Sequence, residues 1–316
     1  MAGRRLQQTD RPRQAAAVAM ALVAVVLWAA TPIATKLAIG GLDPLAVGAL
    51  RTVLAAPLAL GVLLLVRLRP PAGRAGRLYL LCSALGGFVV FPLLFSLGMG
   101  LTTAAHGALV LGLLPLLTGL IAAGLERRAL GRRWWLASAI ALAGTLLLVS
   151  ERFGLTAPGA SLEGDLLIIL SCFAAAAGYV AGARAAREAG TWSVTFWGLL
   201  IGGLVLAPLL PWILSPAALL TAPAVVWGAL VYLAGLSSIA AYGAWYWALA
   251  RDDIGRTGQI QYAQPVIGVA LAAVILGEAI TVALVLAGGM ILLGVVLLQR
   301  VKTDRPAWAA EKGEGG

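Results

Sequence analysis

Apolar residues fill most of this chain in blocks, and short polar breaks separate the blocks. A helix rising ~1.5 Å per residue needs roughly 20 such residues to cross the hydrocarbon of a bilayer. Ten blocks meet that length: residues 15–38, 44–66, 77–98, 103–124, 132–150, 164–184, 193–213, 224–249, 257–276 and 279–299. They are read as helices 1 to 10. The gaps between them leave no room for a soluble domain. The first residues and the tail "KTDRPAWAAEKGEGG" have the composition of disordered chain. The expected fold class is therefore an all-α membrane protein with ten transmembrane helices.

The start could also be read as a signal peptide, since "MAGRRLQQTDRPRQ" is basic and an apolar run follows. That run is longer than a signal core, carries Trp28, Pro32 and Lys36, and ends in no clear cleavage site. It is read as a retained first helix.

Composition agrees with the pattern. Of 316 residues, 61% are hydrophobic and only 11% charged, too few charges for a soluble chain of this length. The mean hydropathy is +0.96. A net charge of +10 suggests nucleic acid until the charges are placed. Arg4, Arg5, Arg11 and Arg13 precede helix 1; Arg67, Arg69, Arg74 and Arg77 lie between helices 2 and 3; Arg127, Arg128, Arg132 and Arg133 lie between helices 4 and 5. Arg184 and Arg187 follow helix 6, Arg251 and Arg256 follow helix 8, and Arg300, Lys302, Arg305 and Lys312 follow helix 10. Only Lys36 and Arg152 fall on the other side, with Arg51 inside helix 2. This is the positive-inside pattern, so both termini are expected in the cytoplasm and the basic charge faces lipid rather than nucleic acid. Cys82 and Cys172 both lie within helices and read as packing residues, not as a disulfide or a metal site.

The chain also repeats itself. A shift of 150 residues places Pro115 on Pro265, Gly144 on Gly294 and Phe95 on Trp245. Helices 1–5 then match helices 6–10. A repeat with an odd number of spans enters the membrane from opposite sides, so the two halves are expected to be inverted around a central site. The expected organisation is a cytoplasmic tail over 1–14, repeats over 15–150 and 164–299, a periplasmic linker over 151–163, and a cytoplasmic tail over 300–316.

Four stretches carry a family resemblance: "LWAATPIATKLAIGGLDPLAVGALR" (27–51), "LGLLPLLTGLIAAGLER" (111–127), "YAQPVIGVALAAVILGE" (262–278) and "LAGGMILLGVVLL" (286–298). In this order they resemble the drug/metabolite transporter superfamily, and within it the EamA-type ten-helix exporters. The resemblance covers about residues 15–300; overall it looks most like the YddG-type aromatic amino-acid exporters. It implies a bacterial inner-membrane exporter. Glu126 departs from the pattern, lying two residues before the position that matches Glu278, and is not given that residue's role.

Helix 9 opens with Gln259, Gln261, Tyr262 and Gln264 and then Pro265. Gln261 and Gln264 share a helical face that Tyr262 borders. Pro265 cannot bond the Gln261 carbonyl, which must then face protein or a wet cavity. The amides either meet a polar, uncharged or zwitterionic substrate or bond neighbouring helices. Gln259 reads as interfacial. Phe88, Phe91 and Phe95 form one stripe too deep for an interfacial belt, suited to packing or to a binding wall. Trp28 lies equally deep, beside the Thr31–Pro32 irregularity, and its indole N–H needs a partner; so do the hydroxyls of Tyr179 and Tyr242. Trp134, Trp135 and Trp247 read as belt residues. His106 lies at the outer mouth or in solvated interface. Arg51 either serves the site or snorkels outward; Lys36 reads as an anchor. Pro32, Pro115 and Pro265 mark kinks. Gly86–Gly87, Gly202–Gly203 and Gly288–Gly289 allow close helix approach.

No G-x-x-x-x-G-K-[ST] motif occurs, no metal-ligand pattern lies in a span, and every Asp and Glu sits at a helix end, in a loop or in a tail. A secondary transporter is expected, facilitative or exchanging, without cofactor, metal, catalytic residue or evident obligate protein partner. It would bind a small amphipathic metabolite such as an amino acid, aromatic ones included, in a cavity lined by helices 1, 3, 4, 6, 8 and 9. The candidate substrate residues are Trp28, Phe88, Phe91, His106, Tyr179, Tyr242, Gln261, Tyr262 and Gln264. Two rivals remain. An exchanger of phosphorylated or nucleotide sugars needs several cavity cations. A membrane enzyme on a lipid-linked substrate needs catalytic groups that the spans lack.

Overall fold

The structure, a computed structural model, describes residues 2–102, 107, 110–153, 161–268 and 282–299. All regular structure among them is helical. Six of the described stretches are long and apolar enough to cross a membrane: Gln14–Ile39, Pro44–Val66, Arg74–Leu101, Leu162–Ala189, Thr191–Ile213 and Ala224–Arg251. They occupy the places of helices 1, 2, 3, 6, 7 and 8. Helix 4 is described over Leu114–Leu125, helix 5 over Arg132–Phe153 and helix 10 over Val282–Gln299. At the place of helix 9 a short helix, Ile254–Gly258, passes into a 3₁₀ turn, Gln259–Tyr262, and residues 263–268 return to α-helix.

Two expectations about boundaries are corrected. The first helix runs back to Ala2, through residues read as disordered. Once the membrane segment has nucleated a helix, each further residue adds a hydrogen bond at little cost, and Arg, Leu and Gln are good helix formers. Helix 6 runs on to Ala189, so Arg184 and Arg187 lie in its last turns rather than after it. It stops at Gly190, whose φ of +85° a side chain would strain, and helix 7 starts on the next residue.

Most of the long helices are interrupted, and proline explains several breaks. A proline cannot bond the carbonyl four residues back. Helix 1 breaks at Ala30, two residues before Pro32, and helix 2 breaks at Leu54, three before Pro57. Helix 4 has a turn at 112–113 before Pro115, and the 3₁₀ turn of helix 9 precedes Pro265. Helices 3 and 8 carry π-helical stretches, Ala84–Val90 and Tyr232–Ala240; the first ends just before Pro92. Shifted by 150, residues 84–90 fall on 234–240, so the two π-helices end in register.

Packing pairs helix 1 with helix 8, helix 3 with helix 6, helix 2 with helix 7, helix 4 with helix 9 and helix 5 with helix 10. Small residues permit the closest crossing. A Cβ on Gly86 would lie 2.5 Å from the Ala174 carbonyl oxygen, and one on Gly178 would lie 2.8 Å from the Gly87 nitrogen, so helices 3 and 6 touch backbone to backbone. Gly202 and Gly203 are likewise pressed against Phe88 and Ala56. Among the described residues a Cβ on Gly288 would meet only Val266, at 3.7 Å, and one on Gly289 would meet nothing within 4 Å.

Candidate functional site

Broken helices leave carbonyls that need donors. Inside the bundle, side chains from other helices supply them. Pro32 releases the Trp28 carbonyl, and the Gln264 amide donates to it at 3.3 Å. Pro92 releases the Phe88 carbonyl, and the Thr52 hydroxyl donates to it at 2.9 Å. In the π-helices, where the regular ladder is disturbed, the Tyr242 hydroxyl donates to the Gly87 carbonyl at 2.8 Å and the Trp28 indole N–H to the Ser237 carbonyl at 2.9 Å. Ser238 donates to the Leu233 carbonyl at 2.8 Å.

These bonds draw six rings into one buried cluster at the junction of helices 1, 3, 6 and 8. Trp28 stacks on Tyr179, with centroids 5.4 Å apart, and meets Tyr242 and Trp245 edge-on at 5.2 and 5.5 Å. Phe88 leans on Tyr242 at 4.4 Å. Tyr246 joins through Tyr242 at 5.7 Å, and its hydroxyl lies 2.7 Å from that of Ser83. The Gln261 amide lies beside the Tyr179 hydroxyl. Every ring is at least 95% buried. Three polar atoms around the cluster are buried without a partner among the described residues: Gln261 Oε1, Trp245 Nε1 and Arg51 Nη1. Such groups cost free energy in the ground state, so a site that keeps them is suited to a polar ligand against apolar walls.

Comparison with known proteins settles the kinship of this arrangement. The model of the EamA-like transporter family matches the chain twice, over residues 15–150 and 162–300. The chain belongs to that family. This EamA-like protein is 33% identical, over 88% of its length and 95% of the relative's, to the "Uncharacterized transporter YdeK" of Bacillus subtilis (strain 168). It is 27% identical, over 88% of its length and 91% of the relative's, to a "Probable amino-acid metabolite efflux pump" of Salmonella typhimurium. A solved crystal structure 23% identical to it superposes with a TM-score of 0.72 over 95% of this chain and 99% of that one, a likeness of fold. The protein is thus a multi-pass membrane protein of a transporter family.

The transporter brings together some of the residues singled out from sequence and separates others. Trp28, Phe88, Tyr179, Tyr242 and Gln261 meet at the ring cluster. Phe91 and Phe95 stack on each other at 5.4 Å, with Phe91 one step further along helix 3. Tyr262 does not join them. It is fully buried in a separate core with Trp134, Ala137, Ala141 and Ile291. The 3₁₀ turn is the reason, because its tighter winding changes which faces residues 259–264 present. His106 lies outside the described residues.

Several sequence readings are corrected here. Trp134, read as a belt residue, is 5% exposed and packs under Gly119, whereas Trp135 beside it is 49% exposed. Gln259, read as interfacial, is fully buried and donates to the Pro115 carbonyl at 2.7 Å. Lys36 does anchor, but on protein: its ammonium donates to the carbonyls of Met99 and Thr102 at 2.5 and 2.7 Å, closing the C-terminal end of helix 3. Sequence reasoning left out Ser237, Ser238 and Thr52. Pro92 within helix 3 was the available signal that a carbonyl there needs a donor.

At the end of the molecule shared by the basic loops, side chains tie three helix ends together. Glu126, 3% exposed, lies 3.2 Å from Arg128 and 3.7 Å from Arg184. Arg128 also pairs with Asp253 at 2.8 Å, and Asp252 with Arg256. Among the described residues no group of His, Cys, Asp and Glu could hold a metal ion.

Proposed function

We propose that this transporter exports small amphipathic metabolites, above all amino acids and the aromatic ones among them, by alternating access through the ring cluster. The observation that carries this reading is the cluster itself: six buried rings, with the unpartnered amide oxygen Gln261 Oε1 on the side chain that lies beside Tyr179. Rings bury an apolar side chain, and an amide oxygen accepts from an ammonium group without adding charge. The name of the Salmonella relative points the same way.

In this reading the chain has ten spans in two inverted five-helix repeats, with both termini in the cytoplasm of a bacterium and the protein in its inner membrane. The double match of the family model supports the repeat. So does the packing: exchanging helices 1–5 with 6–10 turns the 1–8 contact into the 6–3 contact and leaves the 2–7, 4–9 and 5–10 contacts unchanged. Contacts that survive such an exchange are what a twofold axis between the halves produces. Transport runs down the substrate's own gradient or by exchange, since the spans offer no nucleotide motif and no deep carboxylate to relay protons.

The test is counterflow of labelled phenylalanine and leucine into proteoliposomes. The unaltered protein exchanges them without any added cofactor. Gln261→Leu lowers exchange by about tenfold or more, the worth of one hydrogen bond to a charged group, while its thermal midpoint in detergent stays within a few degrees. Normal exchange by Gln261→Leu, or no exchange of any amino acid by the unaltered protein, overturns the reading.

A further inference from the structure

Arg51 is the second most voluminous of the fully buried side chains, after Trp245. It sits in the outer half of helix 2, beside the ring cluster, and is only 2% exposed, which excludes snorkelling to the surface. A guanidinium cannot lose its charge in a protein, so its burial is costly unless an anion or a full set of acceptors compensates. Its surroundings are neutral. Nη2 donates to Ser237 Oγ at 2.9 Å, and Nε and Nη2 each lie 3.4 Å from Ser238 Oγ. The Phe91 ring lies 5.9 Å from Cζ, and the ionisable groups that face it are the hydroxyls of Tyr242, Tyr179 and Tyr232. Among the described residues no carboxylate pairs with it, and Nη1 has no partner at all.

We propose that Arg51 is the receptor for a carboxylate on the transported molecule, the two N–H groups of Nη1, left free by the serines on Nε and Nη2, forming the seat for its oxygens. The inference rests on the reading that the ring cluster holds the substrate's apolar body, and it adds the charge that body must carry. Two serines set the guanidinium's angle. Ser238 spends its own proton on the Leu233 carbonyl, so its oxygen lone pairs are left for Arg51. Ser237 is shared with Thr31, 3.1 Å away, and its carbonyl holds the Trp28 indole. One residue therefore fixes both the cation and the ring that stacks on Tyr179. A planar guanidinium can hold two serines on Nε and Nη2 and still present Nη1, which the single ammonium of lysine cannot, so lysine is a poor substitute. A single cation beside rings also fits a monoanionic head better than a doubly charged phosphate.

The experiment measures thermal stabilisation of the purified full-length protein by three probes: phenylalanine, phenethylamine, which lacks the carboxylate, and 3-phenylpropionate, which lacks the ammonium. The unaltered protein is expected to bind the two carboxylates at least tenfold more tightly than the amine. Arg51→Met loses that preference, and its midpoint without ligand holds or rises, because an unpaired buried charge has been removed. Arg51→Lys keeps a reduced preference and serves if Arg51→Met does not fold. Equal binding of phenethylamine and phenylalanine by the unaltered protein overturns the inference while leaving the ring site standing. Unchanged preference in both variants also overturns it and makes Arg51 a strut between helices 2 and 8. Arg51-dependent binding of short aliphatic carboxylates, with no aromatic probe bound, supports the carboxylate seat and overturns the aromatic reading instead. If the unaltered protein binds none of these carboxylates, both fall.

Discussion

The amides of helix 9 look interchangeable in the sequence and differ in the structure. Gln264 donates to the carbonyl that Pro32 releases, Gln259 donates to the Pro115 carbonyl, and Gln261 keeps an unpaired oxygen beside Tyr179. The first two are bonds between helices, and the third amide keeps an acceptor oxygen that no described residue uses. Gln264→Leu should therefore cost about 1 kcal/mol of stability, the worth of one interhelical bond in a membrane. Its thermal midpoint in detergent should drop by a few degrees, whereas that of Gln261→Leu should not. A drop of equal size in both variants would make all three amides structural. The need for a partner at Trp28, Tyr179 and Tyr242 was legible from residue type and depth. Which atom met the need was not. The partners come from helices up to 236 residues away in sequence, and a 3₁₀ turn or π-helix alters the phase by which a face is read.

At the scale of the element, the apolar blocks located the six stretches long enough to span a membrane, although the first helix begins well before its block and the sixth ends beyond it, and the prolines located most of the breaks. The π-helices were not legible. They hold no proline of their own, and the nearest signal, Pro92, lies just beyond the first of them. Their glycines also divide in a way composition does not show. Gly86 in the first π-helix sits against the Ala174 carbonyl, whereas among the described residues nothing lies within 4 Å of the Cβ position of Gly235 in the second. Gly86→Ala should push helices 3 and 6 apart and cost about 1–3 kcal/mol, the range for overpacking a tight contact. Gly235→Ala should be neutral or slightly stabilising. Thermal unfolding of the two variants in the same detergent distinguishes packing from hinge: a marked loss of exchange in Gly235→Ala without loss of stability would mean that the second π-helix must flex.

For the whole molecule, alternating access requires one end to open while the other stays closed. The end opposite the basic loops is fastened by Lys36 on the carbonyls of Met99 and Thr102 and by Ser161 on the Leu101 carbonyl. The basic end, cytoplasmic in the proposed orientation, is fastened by ion pairs that join helices 4 and 6 to the connection between helices 8 and 9. The positive-inside pattern gave the placement of these arginines, but as a topology signal; that Glu126 would sit between two of them was hidden by its apparent offset from Glu278. Removing that charge leaves Arg128 and Arg184 facing each other, with Asp253 the one carboxylate paired to Arg128 among the described residues. Both arginines are about one-fifth exposed, so screening limits the effect to about 1–2 kcal/mol. Glu126→Gln should then favour the state open at the basic end by roughly tenfold. A cysteine at Thr118, a buried position in helix 4 that packs against Gly258, reports that opening in a background with Cys82→Ser and Cys172→Ala. An impermeant maleimide applied from the basic-loop side should label it several-fold faster in Glu126→Gln than in the unaltered pairing, and high salt should narrow the difference. Equal labelling rates would show that the ion pairs decorate that end without closing it, and would move the closure to the packed contact of helices 4, 5 and 9 at Gly119, Trp134 and Gln259.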